Sequence, residues 1–272
     1  DLSQAYFSET SFLNANLFGA NLDDVDLSGG RFEGTNLETV ELDAADFSGQ
    51  ALHGVSFFRA RLLDSDFSDA LVEESNFSGA DLSGADFARA SLKGSDFTNT
   101  ILAGADLQGT DFSNAVLSFF DLRSFNLSES IFVGVNLHEA RLEGLMLEGR
   151  DFTGAHLIEI NCRNCNLNAA ILAGADLTSA NLSNADLRNA DMSSTVLSGV
   201  NLIGAQLEGA NFRDANFAGV DLSNLDLAGF ACTPTGPDAS GHDRCCPGAG
   251  GACSIRYLCD RTGGEPICVP SH

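Results

Sequence analysis

Every fifth residue of this chain from Leu2 to Leu227 is large and apolar, and no insertion or deletion disturbs the register. Of the 46 positions in that series, all are Leu or Phe except Val72, Cys162 and Met192, and none is polar. The residue two places earlier is mostly small, as at Ala5, Thr10, Ala15 and Ala20 and in the run Ala170, Ala175, Ala180, Ala185 and Ala190. The residue just before the large one is usually Asp, Asn or another polar type. A helix repeats at about 3.6 residues and a strand at two, so neither alone yields a period of five. A short extended piece followed by a corner does: the small and the large residue lie two apart on one face, and the next three residues turn.

Phenylalanine placement sets the number of sides. Phe47, Phe67 and Phe87 fall in one column when the chain is folded at 20 residues, Phe57, Phe77 and Phe97 in a second, and Phe112, Phe132 and Phe152 in a third. A 15-residue, three-sided coil scatters them. The expected fold is therefore all-β, a four-sided parallel β-helix in which the 46 repeats, four to a coil, make about 11.5 coils. Ala, Asp, Asn and Gly are weak strand formers, so the stability must come from stacking coil on coil and from a continuous buried ladder of Leu and Phe.

The Ala-(Asp/Asn)-Leu-X-X pattern resembles the pentapeptide repeat family and spans about 230 of the 272 residues. The resemblance implies a right-handed quadrilateral β-helix; the handedness comes from the family, not from the period. It also implies that Cys is common at inner sites, and that some members imitate DNA toward gyrase and carry loops that interrupt the coil. No such interruption is present here.

Departures from the pattern mark expected distortions. The small-residue site holds Gln50, Phe120, Phe125, Leu145, Arg150, Ile160, Leu225 and Phe230. Gly30 stacks beside Gln50 and is expected to give it room. An unpaired Arg inside the coil is costly, so the backbone is expected to turn Arg150 outward, with a binding notch as the alternative. Phe120 and Phe125 suggest a widened core, and Leu225 and Phe230 a plug for the last coil. Cys162 and Cys165 both face inward; buried inert thiols are expected, with a disulfide as the secondary reading.

With 38 acidic and 14 basic residues the formal charge is -24, which repels nucleic acid and anionic lipid and attracts a protein with a basic surface. Asp26, Asp46, Asp66, Asp86 and Asp106 fall in one column, a candidate interaction stripe whose carboxylates stand roughly 4.8 Å apart. The stripe reads either as a site for a basic surface or Ca²⁺, or as a by-product of side chains that hydrogen-bond the turning backbone. No run approaches the ~18 consecutive apolar residues of a membrane span.

The chain changes character near residue 231. The last 42 residues hold Cys232, Cys245, Cys246, Cys253, Cys259 and Cys268 and all five prolines. This divides the chain into a repeat region, 1–230, and a cysteine-rich cap or module, 231–272. Disulfides among those six are expected over zinc held with His242 or His272, because no paired Cys-x-x-Cys is present in the tail. Cys232 lies on the repeat register, so the tail is expected to begin as a further coil fragment and to cover the open end. An uncapped end is the expected site of a homodimer.

His53, His138 and His156 fall on scattered faces, and no catalytic set or phosphate loop assembles. The expected function is a non-catalytic acidic scaffold without a cofactor, extracellular or in the cell envelope, because cysteine-dense tails suit oxidising compartments and the chain opens at Asp1 as a trimmed product would. Two alternatives stand beside it: a cytoplasmic DNA mimic acting on gyrase or another DNA-binding protein, and a calcium-dependent surface component.

Overall fold

The computed structural model describes residues 2, 7, 9–22, 25, 27, 29–218 and 220, and the backbone of four short tail strands. Asp26, Leu225, Phe230, Cys253, His242 and His272 lie outside the described residues, as does the expected boundary at 231.

Each repeat is one side of a coil. Parallel bridges join residues 20 apart, as in Asp46↔Asp66, Asp66↔Asp86 and Asp86↔Asp106 or Asn161↔Asn181 and Asn181↔Asn201, so four corners close each turn. The corner is a four-residue turn in which the amide of the next small residue donates to the carbonyl of the central one, as Ala70 N does to Phe67 O at 3.1 Å. Its third residue takes a left-handed φ, for example 57° at Asp69 and 63° at Gly49, the signature of a type II turn. For an L side chain that conformation costs roughly 1–2 kcal/mol.

Why the polar residue precedes the central one follows from an account of the amides. In the repeat Ser65–Asp69, Ser65 N donates to Leu62 O at 3.4 Å, Asp66 N to Ala45 O at 2.9 Å, Phe67 N to Asp86 O at 2.7 Å and Asp69 N to Ala88 O at 3.0 Å. The remaining amide, Ser68 N, meets the Asp66 carboxylate Oδ1 at 2.8 Å. The side chain of Asp or Asn is thus the fifth acceptor of the repeat, and every backbone donor is satisfied.

The described chain divides into two compact units: Asp1–Ser118 with Ser124–Asn136, and Phe119–Arg123 with Leu137–His272. In the first, the core is aromatic. Phe47, Phe67 and Phe87 stack at 5.1 and 4.9 Å, and Phe57, Phe77 and Phe97 at 4.9 and 5.0 Å, with edge-to-face contacts between the two columns. Phe112 stacks on Phe132 at 5.9 Å. Hydroxyls at small-residue sites point inward and are satisfied: Ser65 Oγ donates to Leu42 O and Thr110 Oγ1 to Phe87 O, both at 3.0 Å. In the second unit the core is mostly Leu over Ala, from Ala155 and Leu157 to Ala190 and Met192, with Phe152 also buried. Each such large side chain contributes roughly 1.5–3 kcal/mol of burial.

Several expectations need correction. Cys162 and Cys165 are bonded to each other, not free thiols. One is a central residue and the other the next small residue across a corner, which brings their Cα atoms to 5.3 Å, within bridging range. A Cβ at Gly30 would lie 2.6 Å from Phe32 Cε2 and 2.9 Å from Leu27 O, so the glycine makes way for the Phe32 ring. Gln50 donates through Nε2 to Asp46 O at 3.0 Å and reaches Leu27 O, at the Gly30 corner, at 3.5 Å. The backbone does not turn at Arg150, whose amide donates to Leu147 O at 3.1 Å and whose carbonyl accepts from Ile171 N at 2.9 Å; the side chain alone swings out, Nε to Glu148 O at 3.3 Å. Around Phe125 the backbone bends and Asn126 makes no ladder bridge, while Phe120 and Phe125 stay half-buried.

In the tail, β1 (Cys232–Pro237), β2 (Asp243–Pro247), β3 (Tyr257–Asp260) and β4 (Ile267–Pro270) form an antiparallel sheet in that order. Cys232 therefore opens an antiparallel hairpin with β2 and not a further parallel coil; Pro234 and Pro237 lack the amide that a ladder uses. Cys259 stands opposite Cys268 in register, and the pairing of the tail cysteines lies outside what is described.

Candidate functional site

The surface is built on the polar and corner positions of the repeat. Asp46, Asp66, Asp86 and Asp106 stand on successive coils of the first unit, bridged in one column. Each commits Oδ1 to its own corner, at 2.9 Å to Ser48 N, 2.8 Å to Ser68 N, 2.7 Å to Ala88 N and 2.9 Å to Gln108 N. The residues are half-buried or exposed, so the carboxylates stand at the surface while supporting the turns. Among the described residues no three His, Cys, Asp or Glu side chains converge as a metal-binding group.

Several of the described cations are tied to carboxylates. Arg89 chelates Asp69, Nε to Oδ1 at 2.8 Å and NH2 to Oδ2 at 2.7 Å, and this guanidinium holds the Asp69 carboxyl below its ordinary range. Arg123 grips Asp121 in the same bidentate way at 2.7 and 2.5 Å. Arg141 reaches Asp121 at 3.3 Å and Glu143 at 3.6 Å, making a four-member network on the second unit. The Arg123 hydrogen bonds, with smaller help from Arg141, lower Asp121 from 3.8 to about 2. Arg188 likewise lowers Asp186. Nearby, Asn161, Asn181 and Asn201 form a ladder of side-chain amides at 3.3 Å.

His53 lies 3.6 Å from Glu74 Oε2. His138 Nδ1 is 3.2 Å from Ile158 O, and its ring meets Phe119 edge-on at 5.5 Å between centroids. Phe119 was not among the positions that the repeat pattern singled out. Its signal was an aromatic residue at the second corner site, where Gly, Asn and charged residues are the rule. Among the described residues it is the one aromatic with a positive φ, at 67°, and it is 64% exposed.

These features define a class, a four-sided coiled repeat that carries its charged side chains at outer positions. Family models for pentapeptide repeats match residues 1–38, 80–118, 110–149, 147–184, 155–194 and 190–230, and one for a pentapeptide repeat region matches 20–97. The chain belongs to the pentapeptide repeat family. Its members are generally non-catalytic structural or interaction proteins.

Among solved structures, the chain is similar to HetL, a pentapeptide repeat protein involved in heterocyst differentiation regulation in the cyanobacterium Nostoc sp. Strain PCC 7120. The identity is 29% over 78% of this chain and 86% of that one, with a TM-score of 0.26. It is 24% identical to full-length QnrB1, a plasmid-mediated fluoroquinolone resistance protein, over 78% and 88% of the two chains, TM-score 0.26. A pentapeptide repeat protein from the Arabidopsis thaliana thylakoid lumen is 30% identical over 50% and 70%, TM-score 0.22. No curated protein matched in a sequence comparison. No helix of the described residues is long and apolar enough to cross a membrane.

Proposed function

We propose that this chain is an acidic, non-catalytic interaction scaffold that binds a protein with a basic surface through its outer faces, and that it works outside the cytoplasm. The column Asp46, Asp66, Asp86 and Asp106 carries the reading: four carboxylates at the spacing of successive coils, on a chain of net charge -24, make a linear field that attracts cations. The Cys162–Cys165 bond in the interior supports an oxidising compartment.

Replacing all four by Asn tests it, since Asn keeps the turn acceptor and removes only charge. Binding of a basic protein such as a histone, measured at two salt concentrations, should weaken in the variant and lose part of its salt dependence. Unchanged, salt-insensitive binding contradicts the reading. The same row of charges also favours a second one, imitation of nucleic acid toward a topoisomerase. Inhibition of supercoiling by DNA gyrase, lost in the Asn variant, would support that instead.

A further inference from the structure

The second corner site takes a left-handed φ, and an L side chain there is tolerated best when it is small or can bond to its own backbone. Phe119 is neither, yet it holds that conformation with its amide still on the ladder, donating to His138 O at 2.8 Å. Its ring is 64% exposed. The ladder places Glu139 and Glu159 at the same corner of the next two coils of this unit, with φ of 55° and 58° and amides bonded to Ile158 O and Thr178 O. Both are exposed. His138 steadies the ring edge-on at 5.5 Å, and its Nε2 lies 3.3 Å from Glu139 Oε1.

An exposed aromatic ring beside two carboxylates matches a long cationic side chain, whose apolar stem lies over the ring while its charged head pairs with the glutamates. We propose that Phe119, with His138, Glu139 and Glu159, anchors an arginine- or lysine-bearing segment of a protein partner. A second copy of this chain fits poorly, because two molecules of charge -24 repel. The proposal rests on the basic-partner reading and gives it a place.

The test uses the full chain, isotope-labelled and titrated with octa-arginine while the backbone amides are followed by NMR. The earliest shifts should fall at residues 119, 138, 139 and 159. Phe119→Gly suits the left-handed corner and so leaves the fold intact. It should weaken binding roughly three- to fivefold, and Glu139→Gln with Glu159→Gln should weaken it further and reduce its salt dependence. Shifts centred on the Asp46–Asp106 column, with wild-type affinity in Phe119→Gly, would overturn the anchor and leave the acidic scaffold standing. No binding of octa-arginine would sink both. A concentration-dependent dimer that Phe119→Gly abolishes would assign the ring to a second copy and likewise overturn the proposal.

Discussion

The two units carry the same backbone ladder over different cores. In the first, rings stack on rings at 4.9 to 5.1 Å in the columns through Phe67 and Phe77, and small-residue sites often carry hydroxyls bonded to buried carbonyls. In the second, Leu177, Leu182 and Leu187 are buried together with Ala175, Ala180 and Ala185, and a disulfide joins one pair of inner side chains. Adjacent strands sit about 4.8 Å apart, and that is close to the offset-stacking distance of two rings. Phenylalanine therefore gains a stacking contact wherever a neighbour 20 residues away is also phenylalanine, whereas leucine needs no such continuity. The ladder sets the spacing, and each column chooses a side chain that tolerates it.

Breaking a ring column should have the largest effect. Phe77→Ala removes a ring held by stacks at 4.9 and 5.0 Å and by edges from Phe67 and Phe87. It should destabilise by about 3–5 kcal/mol, read as the midpoint shift in denaturant-induced unfolding by circular dichroism. Leu182→Ala in the second unit should fall lower in the about 2–5 kcal/mol range of such truncations, because no ring partners are stranded. Equal losses would mean that ring continuity contributes nothing beyond burial.

Gly30→Ala should cost about 1–3 kcal/mol by forcing its Cβ against Phe32; Phe32→Leu in the same chain should recover part of that, since it removes the clash. Cutting the second unit's bond, by Cys162→Ser with Cys165→Ser or by a reductant, should lower stability by about 2 kcal/mol, the chain-entropy value for so short a loop. Hydrogen exchange should show that loosening around Cys162 and Cys165 in the second unit, and unchanged protection there would contradict it.

Acid should give the smallest difference. Asp121 is held near 2 against an ordinary 3.8, so the stability it contributes is full above about pH 4 and is lost as pH falls through about 2. The gap in melting temperature between the wild type and Asp121→Asn should close over that window. The pair is exposed, so the gap itself is small. A gap that persists at pH 2 would assign the effect of Asn to something other than charge.

Much of the fold was legible because the register never slips: an apolar residue every five positions leaves few ways to bury the whole series, and the columns of Phe47 and Phe57 indicate 20 residues to a coil. The polar site was legible as chemistry, since Asp and Asn are the side chains that reach an amide two residues on. What was obscured lay where one feature had two sufficient explanations. The repeat itself accounted for the spacing of Cys162 and Cys165, which hid their bond. Gln50 drew attention to Gly30 and hid the Phe32 ring, two residues along the chain, which also needs that space. Phe119 was hidden because the pattern was judged by its inner sites, while its anomaly is a φ at an outer one.

The carboxylates of Asp46, Asp66, Asp86 and Asp106 are first of all acceptors for the corner amides of their own repeats, so that charge and turn are separable. Amide hydrogen exchange at Ser68 tests this most directly, in the wild type, Asp66→Asn and Asp66→Ala. The expected result is a slow amide in the first two and a fast one in Asp66→Ala, with Phe67 and Asp69 protected in all three. A Ser68 amide that stays slow in Asp66→Ala, or one that becomes fast already in Asp66→Asn, would contradict it.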